Sequence, residues 1–139
     1  MLLLVTGCAS VQSDYRPMRL TGGYSDKLVE PGLWKVVGGS NGYTATGTGR
    51  NMAMYRAAEV IDQAGFSQMQ IIDQKGVATS IAVNNVSGGT SGEELTLWVR
   101  GTNNPAAPLD CRAADRNNCM TLEVAEVKAR LEGTFKRPK

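Results

Sequence analysis

Apolar residues in this chain fall into short groups whose spacing changes from segment to segment. Between Arg50 and Ala64 they recur at three- and four-residue steps, as Met54, Ala57, Ala58, Ile61 and Ala64, which predicts a helix with one apolar stripe. Gly65 stands just past its end, where a left-handed residue is favoured. Thr121 to Leu131 reads as a second helix with Val124, Val127 and Leu131 as its stripe. Thr121 suits its cap, Glu123 the positive end of its dipole, Lys128 and Arg130 the negative end, and Gly133 its stop.

Elsewhere the pattern is that of strands. Leu33 to Val37 follows the turn-forming Glu30-Pro31-Gly32, is interrupted by Gly38 to Gly42, and resumes at Tyr43 to Ala45. Phe66 to Ile72 forms a further strand. Val77, Thr79, Ile81 and Val83 alternate with small or polar residues, the period of a half-buried strand. Leu95, Leu97 and Val99 share one face of a strand from Glu94 to Arg100, whereas Asn84 to Glu94 reads as a glycine-rich loop. Gly101 to Asn118 is irregular. The order is strand, helix, three strands, helix, and the expected fold class is α+β. A small antiparallel sheet of about four strands, with two helices packed on one face, buries both stripes at once.

The residues ahead of this domain carry an address. Leu4-Val5-Thr6-Gly7 precedes Cys8, the pattern of a lipobox, in which the chain is cut after the glycine and the cysteine receives a lipid. Met1 to Gly7 lacks the Lys or Arg and the length of a full signal, so the stretch reads as a truncated lipoprotein signal peptide with an upstream start. A cytosolic chain with an apolar N-terminus is the competing reading. Residues 8–23 then form lipid anchor and spacer, 24–133 a single α+β domain and 134–139 a basic tail with Lys136, Arg137 and Lys139. Ala9 carries no inner-membrane retention signal, so the expected location is the outer membrane facing the periplasm.

Cysteine arithmetic agrees with that compartment. The chain has three cysteines; a lipid on Cys8 leaves Cys111 and Cys119, which bracket a polar segment. A disulfide between them would persist in an oxidising periplasm and restrict the unfolded chain by about 2.5 kcal/mol. Two buried free thiols are the alternative.

Four blocks occur in order: Tyr15-Arg16-Pro17, Gly22-Gly23-Tyr24-Ser25-Asp26, Asn41-Gly42-Tyr43-Thr44 and Tyr55-Arg56-Ala57-Ala58-Glu59. Together they resemble a group of small proteobacterial lipoproteins of unassigned biochemistry, over about residues 15–72 and loosely over the last helix. Ser40 stands where that group has a glycine. The resemblance implies an exported, lipid-anchored domain and supplies no catalytic residues.

Candidate chemistry is sparse. The chain has no histidine, which removes the commonest general base and zinc ligand, and no metal or cofactor is expected. A net charge of +2 gives no general attraction to nucleic acid. Glu93 and Glu94 are adjacent in a strand and face opposite sides. Trp34 and Trp98 read as half-buried packing. Arg56 and Glu59, three apart on the first helix, can meet on one face. Arg56 is expected to reach the backbone of Asn41 to Tyr43, so that Asn41, Tyr43, Arg56 and Glu59 form a structural loop–helix clamp. The expected function is a lipid-anchored envelope protein, an interaction or structural module. It would be tied to the membrane through Cys8, with an envelope protein as possible partner. The alternative is a small-ligand-binding protein or atypical enzyme with a site near Ser25, Asp26 and Arg56.

Overall fold

Two glycines with positive φ, Gly22 (113°) and Gly23 (131°), turn the chain into the first edge of the sheet. The computed structural model describes residues 12–42, 44–83 and 86–138, and for 78–83 and 86–91 the backbone alone. Among the described residues the elements are β1 (Gly22–Glu30), β2 (Leu33–Ser40), α1 (Thr48–Gln63), β3 (Gln68–Val83), β4 (Val86–Thr102), β5 (Met120–Glu123) and α2 (Val124–Leu131). The strands form one five-stranded sheet in the order β1-β2-β4-β3-β5, antiparallel throughout. The fold is α+β, with five strands where about four were expected.

The core follows from alternation along the central strands. Val36 on β2, Leu95, Leu97 and Val99 on β4, and Met69 and Ile71 on β3 point to the same side. There they meet Ala53, Ala57, Ala58 and Ile61 of α1 and Val124 and Val127 of α2, so both helices cover one face. The alanines let α1 approach closely. At Gly38 the approach is closest: a Cβ there would lie 2.4 Å from the Ala53 nitrogen and 2.5 Å from the Gly49 oxygen. Segment 103–119 runs along β3, where the Gln70 side-chain amide donates to the Ala107 and Pro108 carbonyls (3.1 and 3.2 Å).

Several elements depart from the sequence expectation, each for a physical reason. β1 replaces the end of the spacer, because its backbone pairs with β2 from Gly22 to Glu30 although its side chains are mostly polar. Phe66–Ile72 and Val77–Val83 belong to one element: β3 runs through, and a register shift between Ile71 and Asp73 breaks the period that would have revealed it. The expected loop 84–94 is largely β4, paired with β3 as far as Val86. β5 runs from Met120 to Glu123 and so takes Thr121 to Glu123 from the start of the expected second helix, pairing with Gln68 to Ile71. Thr121 is therefore a strand residue, and Glu123 occupies the cap position without a side-chain bond. The second helix is correspondingly short. Thr44 and Ala45 do not continue β2; Tyr43 lies outside the described residues.

The folded unit also extends past 24–133 at both ends. Tyr15 and Phe135 are buried in a second core cluster with Met52 and Tyr55. Asp14 and Lys136 form a parallel bridge, and the Tyr15 amide donates to the Lys136 carbonyl at 2.7 Å. Residues counted as spacer and tail thus supply core.

Candidate functional site

Aromatic rings gather where the two ends of the described chain meet α1. Tyr15 stacks between Tyr24 and Phe135, with ring centres 4.7 and 4.6 Å away, and meets Tyr55 edge-on at 5.3 Å. Tyr24 reaches the group from β1, Tyr55 from α1 and Phe135 from beyond α2. Charged groups close the rim. The Arg56 guanidinium lies 4.6 Å from the Tyr24 ring centre. Its Nε donates to Asp26 Oδ1 at 2.6 Å, and its Nη1 stands 3.6 Å from Glu59 Oε1. The Tyr15 hydroxyl donates to Glu59 and the Tyr55 hydroxyl to Glu132. Arg137 completes the second arm, donating to Glu132 Oε1 at 2.9 Å and to the Tyr55 oxygen at 3.1 Å.

The electrostatics match this wiring. Burial, reinforced by the bond to Glu59, holds the Tyr15 phenol far above its ordinary value. Burial and the bond to Glu132 likewise raise Tyr55. Glu132 is held below the usual carboxylate range by the Tyr55 hydroxyl and then by Arg137. For Arg56 burial works against the charge, but the bond to Asp26 and its field win and the guanidinium is held more firmly protonated. Tyr15 and Tyr55 are held neutral, and Asp26, Glu59 and Glu132 each have a donor. Such a network ties the segments before β1 and after α2 to α1.

The sequence-predicted residues are placed as follows. Arg56 and Glu59 do meet, and the described partners of Arg56 are Asp26, Glu59 and Tyr24. Asn41 donates its amide to Ser13 Oγ at 2.9 Å and accepts from Thr44 Oγ1 at 2.8 Å. Ser13 in turn receives the loop: its own amide donates to Thr44 Oγ1 at 2.8 Å, and its hydroxyl donates to the Thr21 carbonyl. Tyr43 and Cys8 lie outside the described residues. Ser25 and Asp26 are successive residues of β1, so their side chains fall on opposite faces of the sheet. Asp26 is on the helix side with Arg56, and Ser25 is away from it. Cys111 and Cys119 stand at disulfide distance, with Cα atoms 5.7 Å apart. Trp34 packs against the core, and Lys35 lies over the Trp98 ring at 5.9 Å.

Sequence reasoning missed Tyr15, Tyr55, Glu132, Phe135 and Arg137 as members of one cluster. A signal was present: three of the four blocks quoted above carry a tyrosine that ends here. A cavity of about 320 Å³ also opens between the helices. Met54, Ile71, Leu95, Met120, Leu122 and Leu131 line it, and Arg50 stands at its edge. Among the described residues no group of three or more His, Cys, Asp or Glu could hold a metal ion, and no helix is long and apolar enough to cross a membrane. Comparison with protein-family models, curated proteins and solved structures gives no match.

Proposed function

We propose that this protein is a lipid-anchored module of the bacterial cell envelope, held to the outer membrane through Cys8 and facing the periplasm, where it serves as an interaction or structural element. The observation that carries the reading is Leu4-Val5-Thr6-Gly7 ahead of Cys8. The cysteine pair at 111 and 119 supports it, because pairing those two leaves Cys8 as the odd thiol and suits an oxidising compartment. The terminal cluster supports the module half of the reading: Tyr15, Tyr55, Arg56 and Arg137 bond the carboxylates of Glu59, Glu132 and Asp26 and so brace the domain. Metabolic labelling with a fatty-acid probe, from an upstream start, is expected to mark the wild type and not Cys8→Ser. Equal labelling of both would end the anchor reading.

One observation favours a second reading, binding of a small ligand. The cavity between α1 and α2 combines apolar side chains such as Met54, Ile71 and Leu122 with the charged groups of Arg50, Glu123, Glu126 and Arg130, a mixture that can hold and orient a small molecule. Its lining does not include Ser25, Asp26 or Arg56. Native mass spectrometry of protein purified from envelopes would show a retained small molecule, lost in Met54→Trp.

A further inference from the structure

The sheet is not of even height. β2 stops pairing with β4 at Ser40 opposite Glu93, and β5 pairs with β3 only from Gln68 to Ile71. β3 and β4 go on together, Ala78 opposite Glu93, Thr79 opposite Gly92 and so to Val83 opposite Val86. Beyond the Glu93 row this hairpin has no further strand on either side among the described residues. It is a two-stranded arm. Its seven steps from Glu93 to Val86 extend about 23 Å at 3.3 Å per residue. From Gly76 to Gly92 the sequence holds no Asp, Glu, Lys, Arg or Pro; charges resume only at its base, with Lys75, Glu93 and Glu94. Exposed strands normally carry charges or proline that discourage unwanted pairing, and this arm lacks both.

The chain leaves toward Cys8 from the same end of the domain. Asn41, next after Ser40, donates its amide to Ser13 Oγ, and Ser13 bonds Thr21 beside Gly22, the β1 residue paired with Ser40. Ser13 is thus fixed at the row from which the arm projects. Cys8 lies five residues earlier, and five residues span at most about 18 Å. The arm is longer than the tether.

We propose that the β3–β4 arm is a second membrane contact, laid into the headgroup layer of the bilayer that holds the Cys8 lipid; this rests on the anchor reading above. A tether shorter than the arm brings the bilayer surface within its reach. The lack of charge lowers the cost of leaving bulk water. The edge amides, which pair with no further strand among the described residues, keep the arm in the headgroup layer, because the hydrocarbon core offers them no partner.

The test uses the full chain with Cys111 and Cys119 oxidised, which leaves Cys8 as its one thiol. A maleimide lipid coupled there docks the chain on phosphatidylethanolamine–phosphatidylglycerol vesicles whether or not cells lipidate it, so failure here is separable from failure of the labelling experiment. Hydrogen exchange in peptides covering 77–92 is expected to be about tenfold slower in the docked than in the free chain. The β1–β2 turn should be unchanged. In Ile81→Lys/Val86→Lys, compared docked and free, that slowing should vanish. Equal exchange of the wild-type arm docked and free would overturn the proposal. So would slowing that follows protein concentration without vesicles, which would assign the arm to pairing between copies.

Discussion

The Tyr15 hydroxyl donates a hydrogen bond to Glu59, fastening a segment ahead of the sheet to α1. The ring is buried among Tyr24, Tyr55 and Phe135, so the bond and the packing act on one residue. Through it the N-terminal segment, β1, α1 and the segment after α2 share one cluster.

Tyr15 therefore separates packing from hydrogen bonding. Tyr15→Phe keeps the ring and removes the donor, leaving Glu59 with Arg56; a loss of about 1–2 kcal/mol is expected. Tyr15→Ala removes the ring and should cost about 3–5 kcal/mol. Urea unfolding of both variants gives the numbers. A Tyr15→Ala protein as stable as wild type would show that residues 13–19 are no part of the cooperative unit.

The shifted groups predict the pH range of stability. Tyr15 and Tyr55 have folded pKa values raised above the ordinary 10.0, so their contribution is complete below that value and declines as pH rises beyond it. Glu132 is lowered from 4.5, so its contribution is present above that value and lost as pH falls through the folded one. Melting temperature followed across pH should fall at both ends. Tyr15→Phe should remove part of the alkaline fall, and Glu132→Gln part of the acid fall. An alkaline limb identical in Tyr15→Phe and wild type would refute the assignment.

How far the sequence disclosed this arrangement depends on what each residue's partner is. Ala57, Ala58 and Ile61 announced α1 because a helix meeting one core repeats its apolar positions, and Gly65, with φ 93°, ends it as its position implied. β1 and the outer half of β4 were hidden. Ser25, Lys27 and Glu30 are exposed, and residues 86–92 have no sheet neighbour beyond β3 among the described residues, so backbone pairing alone makes them strands. β5 was masked because Thr121 and Glu123 fit a helix start as well as a short edge strand. The pairing of Arg56 with Glu59 was legible from their spacing of three. Asp26 was placed near Arg56 only as part of the alternative site with Ser25; the bond itself was not legible, since nothing local to α1 points to a strand thirty residues earlier.

Gly38 tests how closely α1 is held against β2. A methyl group there would press on the backbone of Ala53 and Gly49, which cannot swing away as a side chain would. Gly38→Ala should force α1 off β2 and cost about 3 kcal/mol, the upper range for overpacking. Gly32→Ala, where a Cβ meets nothing within 4 Å but φ is 77°, is the control for backbone strain alone and should cost less. Equal losses in the two proteins would mean that the helix is not held at contact distance.

Arg56 joins β1 to α1 through geometry that a lysine lacks. One planar group donates to Asp26 from Nε, lies over Tyr24 and faces Glu59 with another nitrogen. Arg56→Lys keeps the charge but gives up the stacked plane and the fork, and should lower stability by about 1–2 kcal/mol. A double-mutant cycle with Asp26→Asn isolates the bond, with a coupling of about 1 kcal/mol expected for a charge-assisted pair that is only partly buried. Urea midpoints of the four proteins decide it. Strict additivity would reduce the pair to a surface contact, whereas full stability in Arg56→Lys joined to loss of an envelope phenotype would move Arg56 from scaffold to binding surface.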